Sequence, residues 1–528
     1  MTAASTPAVP TRAWHLARPG RLLRLELRRN PMLWMVPLLA ALFWYGVYRP
    51  CLANPPLWVL RAATIQSHAL LIFAPLLAGV AAWTGSREGR RHTVDLVSIT
   101  ALPRWAAQLA AWAATAAWAE AVYLGGTAVV YGITAHQATW GGPLWWPIAV
   151  GAVGVAAACA VGYAAGALLP GRFTAPLAAV LVFVALGAGA IWIEHNGSYA
   201  QIWPLNVQGP FPDDSYGVFY PFLPDLAIAQ LMLLGGVMAA ALGALGLASA
   251  RGGRWLRGLA AWLTVAGVAA AAAAIGLAGT ARVEAHGIVI PALHDAASDR
   301  PVSYTPVCAR SAVPVCLQPA YAAMLPDVTA TLGPVLDEIT GVPGAPVRVT
   351  QVAVTSMQAH EPGNGIAFGG PVLSGHPVTL LLPLSGLTLA GEGNTTAAQF
   401  SQQLRTQDAA ILDALVGLAS PVGPQSGSSG AVIVPADLSP GAAAQHAIVS
   451  AMAKVAGLEL GEDQIGRQSA GQRGTGPPPG PQAGSPSSAS RLAAAERFAA
   501  LPAAARHAWL VTHLAALRAG RVTLSEIP

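Results

Sequence analysis

Long apolar stretches separated by short polar connections dominate the first half of the chain. An apolar run of about 18 residues or more is long enough to cross a bilayer as a helix. We expect seven spans, near residues 31–48, 66–84, 106–134, 144–169, 173–195, 226–250 and 257–280. The pattern therefore predicts a mainly α-helical fold whose first part is a polytopic membrane bundle of about seven transmembrane helices.

The pattern of apolar positions changes after about residue 281. Residues 319–341 show helical spacing, whereas 345–354 and 377–384 are short apolar runs typical of strands. The remaining predicted elements are a strand at 431–436, helices at 396–419 and 441–457, and a helical stretch after residue 490 that is broken near Pro502. The sequence predicts an α/β or α+β domain over 281–528, with a disordered loop, rich in Gly, Pro and Ser, at 464–490.

Composition supports a membrane protein. The chain of 528 residues is 54% hydrophobic and only 10% charged, whereas soluble domains carry about a quarter charged residues. Residues 1–281 contain 16 arginines and 8 acidic residues, and residues 282–528 contain 13 basic and 16 acidic residues. This division predicts two environments, with membrane lipids around the basic half and no nucleic-acid partner.

The arginines predict the orientation of the spans. If the N-terminus is cytoplasmic, the outer loops contain only Arg49 and Arg61, and the outer loop 196–225 contains no Arg or Lys. The arginines predicted to be inside are Arg12, Arg18, Arg21, Arg24, Arg28, Arg29, Arg87, Arg90, Arg91, Arg104, Arg172, Arg251, Arg254 and Arg257. Basic residues concentrate in cytoplasmic loops. We therefore expect a multi-pass protein of the cell membrane with an extracytoplasmic C-terminal domain.

The connection 86–105, SREGRRHTVDLVSITALPRW, carries more charge than a tight turn between two spans needs. Thr93 is a suitable N-cap for a short helix, and Asp95 then lies in the first turn, where a carboxylate suits the helix dipole. One interpretation is a solvated loop that follows the positive-inside rule. The other is a contact with a partner.

The run R-E-x-x-x-x-T-V-D-L-V-x-x-T-x-x-P-R in this connection resembles the cytoplasmic connection of type-2 ABC transporter permeases, usually E-R-E-x-G-T-L-E-L-L-x-x-T-P. The residues at matching positions are Thr93, Asp95, Leu96 and Thr100. His92 replaces the glycine of the family, and Asp95 stands where Glu is commoner. Residues 18–31 resemble the amphipathic elbow helix that precedes the first span in that family. The resemblance covers roughly residues 15–280.

The resemblance implies that the short helix docks on a separate ABC ATPase subunit. The residues expected in this coupling loop are Arg87, Glu88, Thr93, Asp95, Leu96 and Val97. It also implies a cytoplasmic tail with an elbow helix at 1–30, a transmembrane domain at 31–280, and a homo- or heterodimer of permease subunits. Six spans are usual in that family, so a seventh is a departure.

No phosphate-binding motif G-x-x-x-x-G-K-[ST] occurs in the chain. We therefore expect no enzyme activity in this subunit and a separate ATPase. The helix–G-x-P-x-x-P–strand segment around residues 333–354 resembles part of the gluzincin peptidase domain that is fused to some type-2 permeases, but the zinc motif H-E-x-x-H is degenerate. The best candidate, from His446, has Ala447 and Ser450 at the glutamate and second histidine positions. We predict no catalytic residue, metal site or cofactor; the alternatives are an envelope assembly or sensory membrane protein, or a membrane-anchored enzyme of unknown class.

One carboxylate and one pair of cysteines lead to two further predictions. Glu120 is the one carboxylate deep in an apolar run, so it is either a substrate or helix-pairing contact or simply a residue that faces the bundle interior. Cys308 and Cys316 are close enough to form a disulfide outside the cytoplasm, and two free core thiols are the alternative.

Overall fold

The structure is a computed structural model of the whole chain. It describes residues 13–53, 55–90, 103–195, 202–207, 217–249, 254–284, 287–353, 358–361, 365–368, 371–383, 411–418, 439–457 and 488–528. The chain forms two compact units. The first comprises Met1–Ala138 and Gly142–Arg300, and the second comprises Thr139–Gly141 and Pro301–Pro528.

The first unit is a helical bundle. Its helices are α1 (Ala13–Arg29), α2 (Pro31–Ala53), α3 (Trp58–Gly85), α4 (Arg87–Arg90), α5 (Arg104–Gln137), α6 (Trp145–Leu168), α7 (Thr174–His195), α8 (Asp225–Ser249) and α9 (Arg254–Ala278). A helix lies at each of the seven predicted span positions. Among the described residues, α2, α3, α6, α8 and α9 are the five helices long and apolar enough to cross a membrane. The chain is therefore mainly helical with the character of a membrane protein, and the membrane crossing of α5 and α7 stays a prediction.

The start of α2 is held by a buried asparagine. Asn30 precedes Pro31, which occupies the first helical position, and its Oδ1 accepts the backbone N–H of Met32 at 2.9 Å. This satisfies one of the N–H groups that a helix start leaves without a partner. The Nδ2 of Asn30 also donates to Thr115 Oγ1 at 2.9 Å. One side chain therefore caps the start of α2 and anchors it on α5.

Small residues allow the helix backbones to approach closely. Gly162 of α6 faces Ala78 of α3, and a Cβ at this glycine would overlap the carbonyl oxygen of Ala78. In the same way, a Cβ on Gly236 of α8 would meet the backbone of Gly267 on α9. Since any larger residue would push these helix pairs apart, the glycines determine the spacing of α3 from α6 and of α8 from α9.

The outward faces of several helices are apolar. Trp34 on α2 is 83% exposed, Phe183 on α7 is 55% exposed and Trp262 on α9 is 64% exposed. Large exposed apolar surfaces are unfavourable in water and mark contacts with lipid or protein. This surface agrees with the hydropathy of the helices and indicates an integral membrane protein.

Residues after α9 return to the helix bundle. Strand β1 (Arg282–Glu284) pairs antiparallel with β2 (Gly287–Val289). Ile288 and Ile290 are then buried in a cluster with Leu226 of α8 and Ala274 of α9. The segment that follows the last predicted span therefore packs on the ends of two helices.

The second unit contains a five-stranded sheet and a set of helices. The sheet comprises β3 (Val307–Cys308), β4 (Val315–Leu317), β5 (Arg348–Val352), β8 (Val372–Ser374) and β9 (Thr379–Pro383), in the order β3-β4-β5-β9-β8. The hairpin of β6 (Gln358–Glu361) and β7 (Gly365–Phe368) is separate. The helices are α10 (Leu325–Ile339), α11 (Pro440–Val455), α12 (Ser488–Ala500) and α13 (Ala503–Arg518). The pairs β4–β5 and β5–β9 are parallel, and the outer pairs are antiparallel.

Several predicted elements of this unit are confirmed. The strands expected at 345–354 and 377–384 are β5 and β9, and the helical stretch after residue 490 breaks at Pro502 into α12 and α13. The helix expected at 319–341 begins as a 3₁₀ turn and becomes α10. The strand predicted at 431–436 and residues 464–487 of the predicted loop lie outside the described residues.

Candidate functional site

The predicted coupling loop is described at its two ends. The four-residue helix α4 (Arg87–Arg90) follows α3 directly, and Arg104 begins α5. The predicted coupling residues Thr93, Asp95, Leu96 and Val97 lie outside the described residues. The site is therefore described from Arg87–Arg90, from Arg104, and from the helices that these residues contact.

An ion pair joins α4 to the elbow helix α1. Nη2 of Arg87 donates to Oε1 of Glu26 at 3.1 Å. Burial alone would lower the pKa of the Arg87 guanidinium, but the hydrogen bond and charge of Glu26 outweigh it, so this pKa lies above its ordinary value. The charged form of Arg87 is thus favoured, and the pair ties the start of the loop to α1.

A second ion pair joins the two ends of the loop. Nε of Arg104 donates to Oε2 of Glu88 at 3.0 Å. We call Glu26, Arg87, Glu88 and Arg104 the charged cluster. Tyr163 of α6 lies close enough to interact electrostatically with all four. Since consecutive residues of α4 bind two different helices, the loop is held to both α1 and α5.

The elbow helix is itself packed on α5. The indole Nε1 of Trp118 donates to the backbone oxygen of Leu27 at 2.9 Å. The side chain of Asn30, at the end of the elbow, donates to Thr115, which lies one turn from Trp118 on α5. The arginines of the elbow whose side chains are described lie on its exposed side, namely Arg21, Arg24, Arg28 and Arg29. The elbow is therefore attached to the bundle on one side and presents positive charge on the other.

Two glycines hold the start of the loop against α6. A Cβ on Gly85 would overlap the carbonyl oxygen of Tyr163, and a Cβ on Gly89 would overlap the ring of Pro170. The last residue of α3 therefore packs closely on the backbone of α6, and α4 packs closely on the proline ring that follows α6.

Glu120 lies in the middle of α5 and is half-buried. Its Oε2 is shielded from solvent and has no hydrogen-bond partner among the described residues. A carboxyl oxygen without a partner in an apolar bundle is costly, and such residues usually face a protein interior or a cavity. The choice between a substrate contact and a residue that simply faces the bundle stays open.

The role of Arg61 differs from the one that the sequence predicts. The sequence predicts that Arg61 lies in an outer loop, but it lies in the first turn of α3 and is only 2% exposed. Its guanidinium donates to Thr134 Oγ1 at 2.9 Å and to Gln137 Oε1 at 2.7 Å. These residues end α5, where the negative end of the helix dipole stabilises a cation. The signal in the sequence is the pair of polar residues, Thr134 and Gln137, in the last turn of α5.

The predicted disulfide is confirmed. Cys308 and Cys316 are bonded, with an S–S distance of 2.08 Å, and they are direct partners across β3 and β4. The alternative of two free thiols is excluded for this pair. Cys51 and Cys159 are free and buried.

The degenerate zinc motif lies on α11. His446 and Ser450 are half-buried and one turn apart on this helix, and Ala447 is buried. Burial, followed by the charge of Arg491, lowers the pKa of His446. Among the described residues, no group of three or more His, Cys, Asp or Glu side chains is arranged to hold a metal ion.

Comparison of the chain with known protein families, with curated proteins and with solved structures finds no match. The resemblance to type-2 ABC permeases therefore depends on the residues of the coupling loop and the elbow. Three residues of the charged cluster, Arg87, Glu88 and Arg104, belong to the run that carries this resemblance.

Proposed function

We propose that this chain is the membrane-spanning permease subunit of an ABC transporter, energised by a separate ATPase chain. Five apolar helices support a role within the membrane. The run from Arg87 to Arg104 resembles the connection on which the ATPase docks in type-2 permeases. The chain has no G-x-x-x-x-G-K-[ST] motif of its own, so a second chain must supply nucleotide hydrolysis.

The observation that carries the proposal is the attachment of the loop to two helices at once. Arg87 pairs with Glu26 on α1, and the next residue, Glu88, pairs with Arg104 at the start of α5. A partner that pushes on residues 91–102 would therefore pull on α1 and α5 together. This is what a loop that transmits motion to membrane helices requires, whereas a solvated connection needs no such attachment.

The elbow supports the same role. Its exposed arginines suit anionic lipid headgroups on the cytoplasmic side of the membrane. Leu25 is 45% exposed on the same helix and suits the apolar layer beneath the headgroups. In the proposed arrangement, α1 lies along the membrane surface, and the ATPase approaches the loop from the cytoplasm.

The proposed orientation places the N-terminus in the cytoplasm and the second unit outside it. The arginine distribution supports the first part. The bond between Cys308 and Cys316 supports the second, because disulfides persist in oxidising compartments outside the cytoplasm. Two permease subunits, identical or different, would form the membrane part of the transporter.

Photo-crosslinking from the loop tests the proposal. A photoreactive amino acid at Leu96 is expected to capture a chain that contains a G-x-x-x-x-G-K-[ST] motif and hydrolyses ATP. The same group at Trp262, which lies exposed on α9, is expected to capture no such chain. If position 96 captures no ATPase in membranes where the protein is assembled, the proposal is wrong.

A pair of matched variants then measures the contribution of the contact. Burying a leucine is worth about 1.5–3 kcal/mol, so Leu96→Asp is expected to weaken ATPase binding by about tenfold or more. Ser98→Asp introduces the same charge at a position that is already polar and is expected to bind nearly as well as the natural chain. Equal binding by both variants and the natural chain would reduce this loop to a solvated connection.

A further inference from the structure

Asp225, the first residue of α8, is bound by a segment more than sixty residues later in the chain. The aspartate is fully buried. Its Oδ2 accepts the backbone N–H of Ile290 at 3.0 Å and lies 3.2 Å from Nδ1 of His294. A carboxylate at a helix N-terminus is favoured by the helix dipole. The start of α8 therefore carries a negative group that residues 290–294 hold in place.

His294 lies between two carboxylates. Its Nδ1 faces Asp225, and its Nε2 lies 2.7 Å from Oδ1 of Asp299. A carboxylate only accepts hydrogen bonds, and a neutral imidazole has a single N–H to donate. Only the imidazolium, which has two N–H groups, can donate to both aspartates. In the neutral form, one ring nitrogen would present its lone pair to a carboxylate oxygen.

The hydrogen bonds that join Asp225 to Ile290 and His294, here called the polar bridge, accompany an apolar contact between the same segment and α8. Ile288 and Ile290 pack against Leu226 and Ala229 of α8. The same short segment thus contacts α8 through buried isoleucines and through the bonds to Asp225. Loss of the polar bridge would weaken the attachment of the segment without removing the apolar part.

We propose that Asp225, His294 and Asp299 form a proton-dependent clasp that fastens residues 287–300 to the start of α8. Protonated His294 closes the clasp by donating from both ring nitrogens. When the proton passes from one nitrogen to water, that nitrogen repels the carboxylate it faced, and the segment loosens. This inference does not depend on the proposed transport function.

The direction of the pH dependence follows from the groups around the ring. Burial lowers the pKa of His294, but the hydrogen bond to Asp299 and the charges of Asp225 and Asp299 outweigh it and raise the pKa above its ordinary value of 6.5. A raised pKa in the folded protein means that the stabilisation is complete below pH 6.5 and disappears as the pH rises through the raised pKa. The other charged residues on this segment and on the strand paired with β2 are Asp295, Arg300, Arg282 and Glu284.

Hydrogen exchange in the intact protein measures the closure of the clasp directly, because the Ile290 N–H is one of its donors. The full chain in lipid nanodiscs is exchanged at several pH values between about 5.5 and 9, across the range where histidine titrates. Exchange of a peptide spanning residues 287–294 is then corrected for the intrinsic rate. Protection is expected to fall by about fivefold or more as the pH rises through the pKa of His294.

Three variants separate the clasp from a merely structural role. His294→Gln has no titratable ring, so its protection is expected to be low and independent of pH. Asp299→Asn removes one of the charges that raise the pKa, so the midpoint of the pH dependence is expected to move to lower pH. Asp295→Asn, which alters the neighbouring aspartate that caps the following turn, is expected to keep the pH dependence of the natural chain.

The proposal is overturned if protection of this peptide in the natural chain does not vary with pH after correction. Retention of the full pH dependence in His294→Gln would also overturn it, since another group would then be responsible. If His294→Gln fails to fold, the proposal is tested by the midpoint of the pH dependence of protection in Asp299→Asn. An unchanged midpoint contradicts the clasp, and a lowered one supports it.

Discussion

Arg87 and Glu26 are separated by 61 residues in the chain, yet the guanidinium of the first donates to the carboxylate of the second at 3.1 Å. The side chain of Arg87 is 33% exposed, and that of Glu26 is 15% exposed. This ion pair directly links α1 to the start of the connection between α3 and α5. Because it lies at the edge of the bundle and not in its core, its removal should affect the proposed contact with an ATPase more than folding.

In the proposed transporter, we expect Glu26→Gln to reduce the stimulation of ATP hydrolysis by this chain while leaving ATPase binding intact. A partly exposed ion pair is worth about 0.2–1 kcal/mol, so the reduction should be about 1.4- to fivefold. The measurement is stimulated ATPase activity in nanodiscs. The double variant Glu26→Arg with Arg87→Glu restores the pair with reversed charges and should recover activity. If it recovers nothing, the pair does not act through its own charges.

Arg61 should be important for the stability of the bundle. Its guanidinium is buried and binds the two polar side chains that end α5. Arg61→Ala removes both hydrogen bonds and leaves the buried Thr134 without this donor, which should cost about 2–4 kcal/mol. Thermal unfolding in detergent would show this as a lowered Tm. Arg49→Ala, at an exposed arginine of α2, is the control, and equal Tm values for the two variants would contradict the prediction.

Glu338 should stabilise the second unit through Arg506. The carboxylate of Glu338 receives two hydrogen bonds from the guanidinium, at 2.6 and 3.2 Å, and joins α10 to α13. Glu338→Gln leaves a largely buried arginine without its counter-charge, and breaking such a pair costs about 3–5 kcal/mol.

Pulse proteolysis of the full-length protein in urea measures this loss, with cleavage followed in residues 301–528. Glu496→Gln removes the same charge from an exposed position on α12 and should leave the urea midpoint unchanged. If Glu338→Gln and Glu496→Gln unfold at the same urea concentration, the ion pair contributes nothing measurable.

The proposed orientation predicts a definite pattern of reporter activity. A reporter that is active only outside the cytoplasm should be active when fused after Pro528 and silent when inserted beside Arg90. A third insertion beside Arg172, in the turn between α6 and α7, should also be silent. Activity beside Arg172 would require a different number of crossings before that turn. Silence after Pro528 would place the second unit in the cytoplasm.

The positions of the helices could be predicted from the sequence because hydropathy is a local property. An uninterrupted apolar run forms a helix regardless of its neighbours, since the backbone N–H and C=O groups must bond to each other in an apolar medium. The break at Pro502 is local in the same sense, because proline lacks the N–H that a helix interior needs. The bond between Cys308 and Cys316 was also within reach, because the two residues are separated by only 8 positions.

The polar contacts within the bundle and on its surface depend on the tertiary structure. Glu26 is the single acidic residue in RLLRLELRR, and nothing in that run indicates that its partner is Arg87, 61 residues later. The sequence predicts Arg61 in an outer loop. Its buried environment follows only from the packing of α3 beside the end of α5. The bridge from Asp225 through His294 likewise joins residues 69 positions apart. The partner of a charged side chain depends on which helices pack together. That packing depends on close contacts between helices, such as those of Gly162 and Gly236, and a local sequence pattern does not encode them.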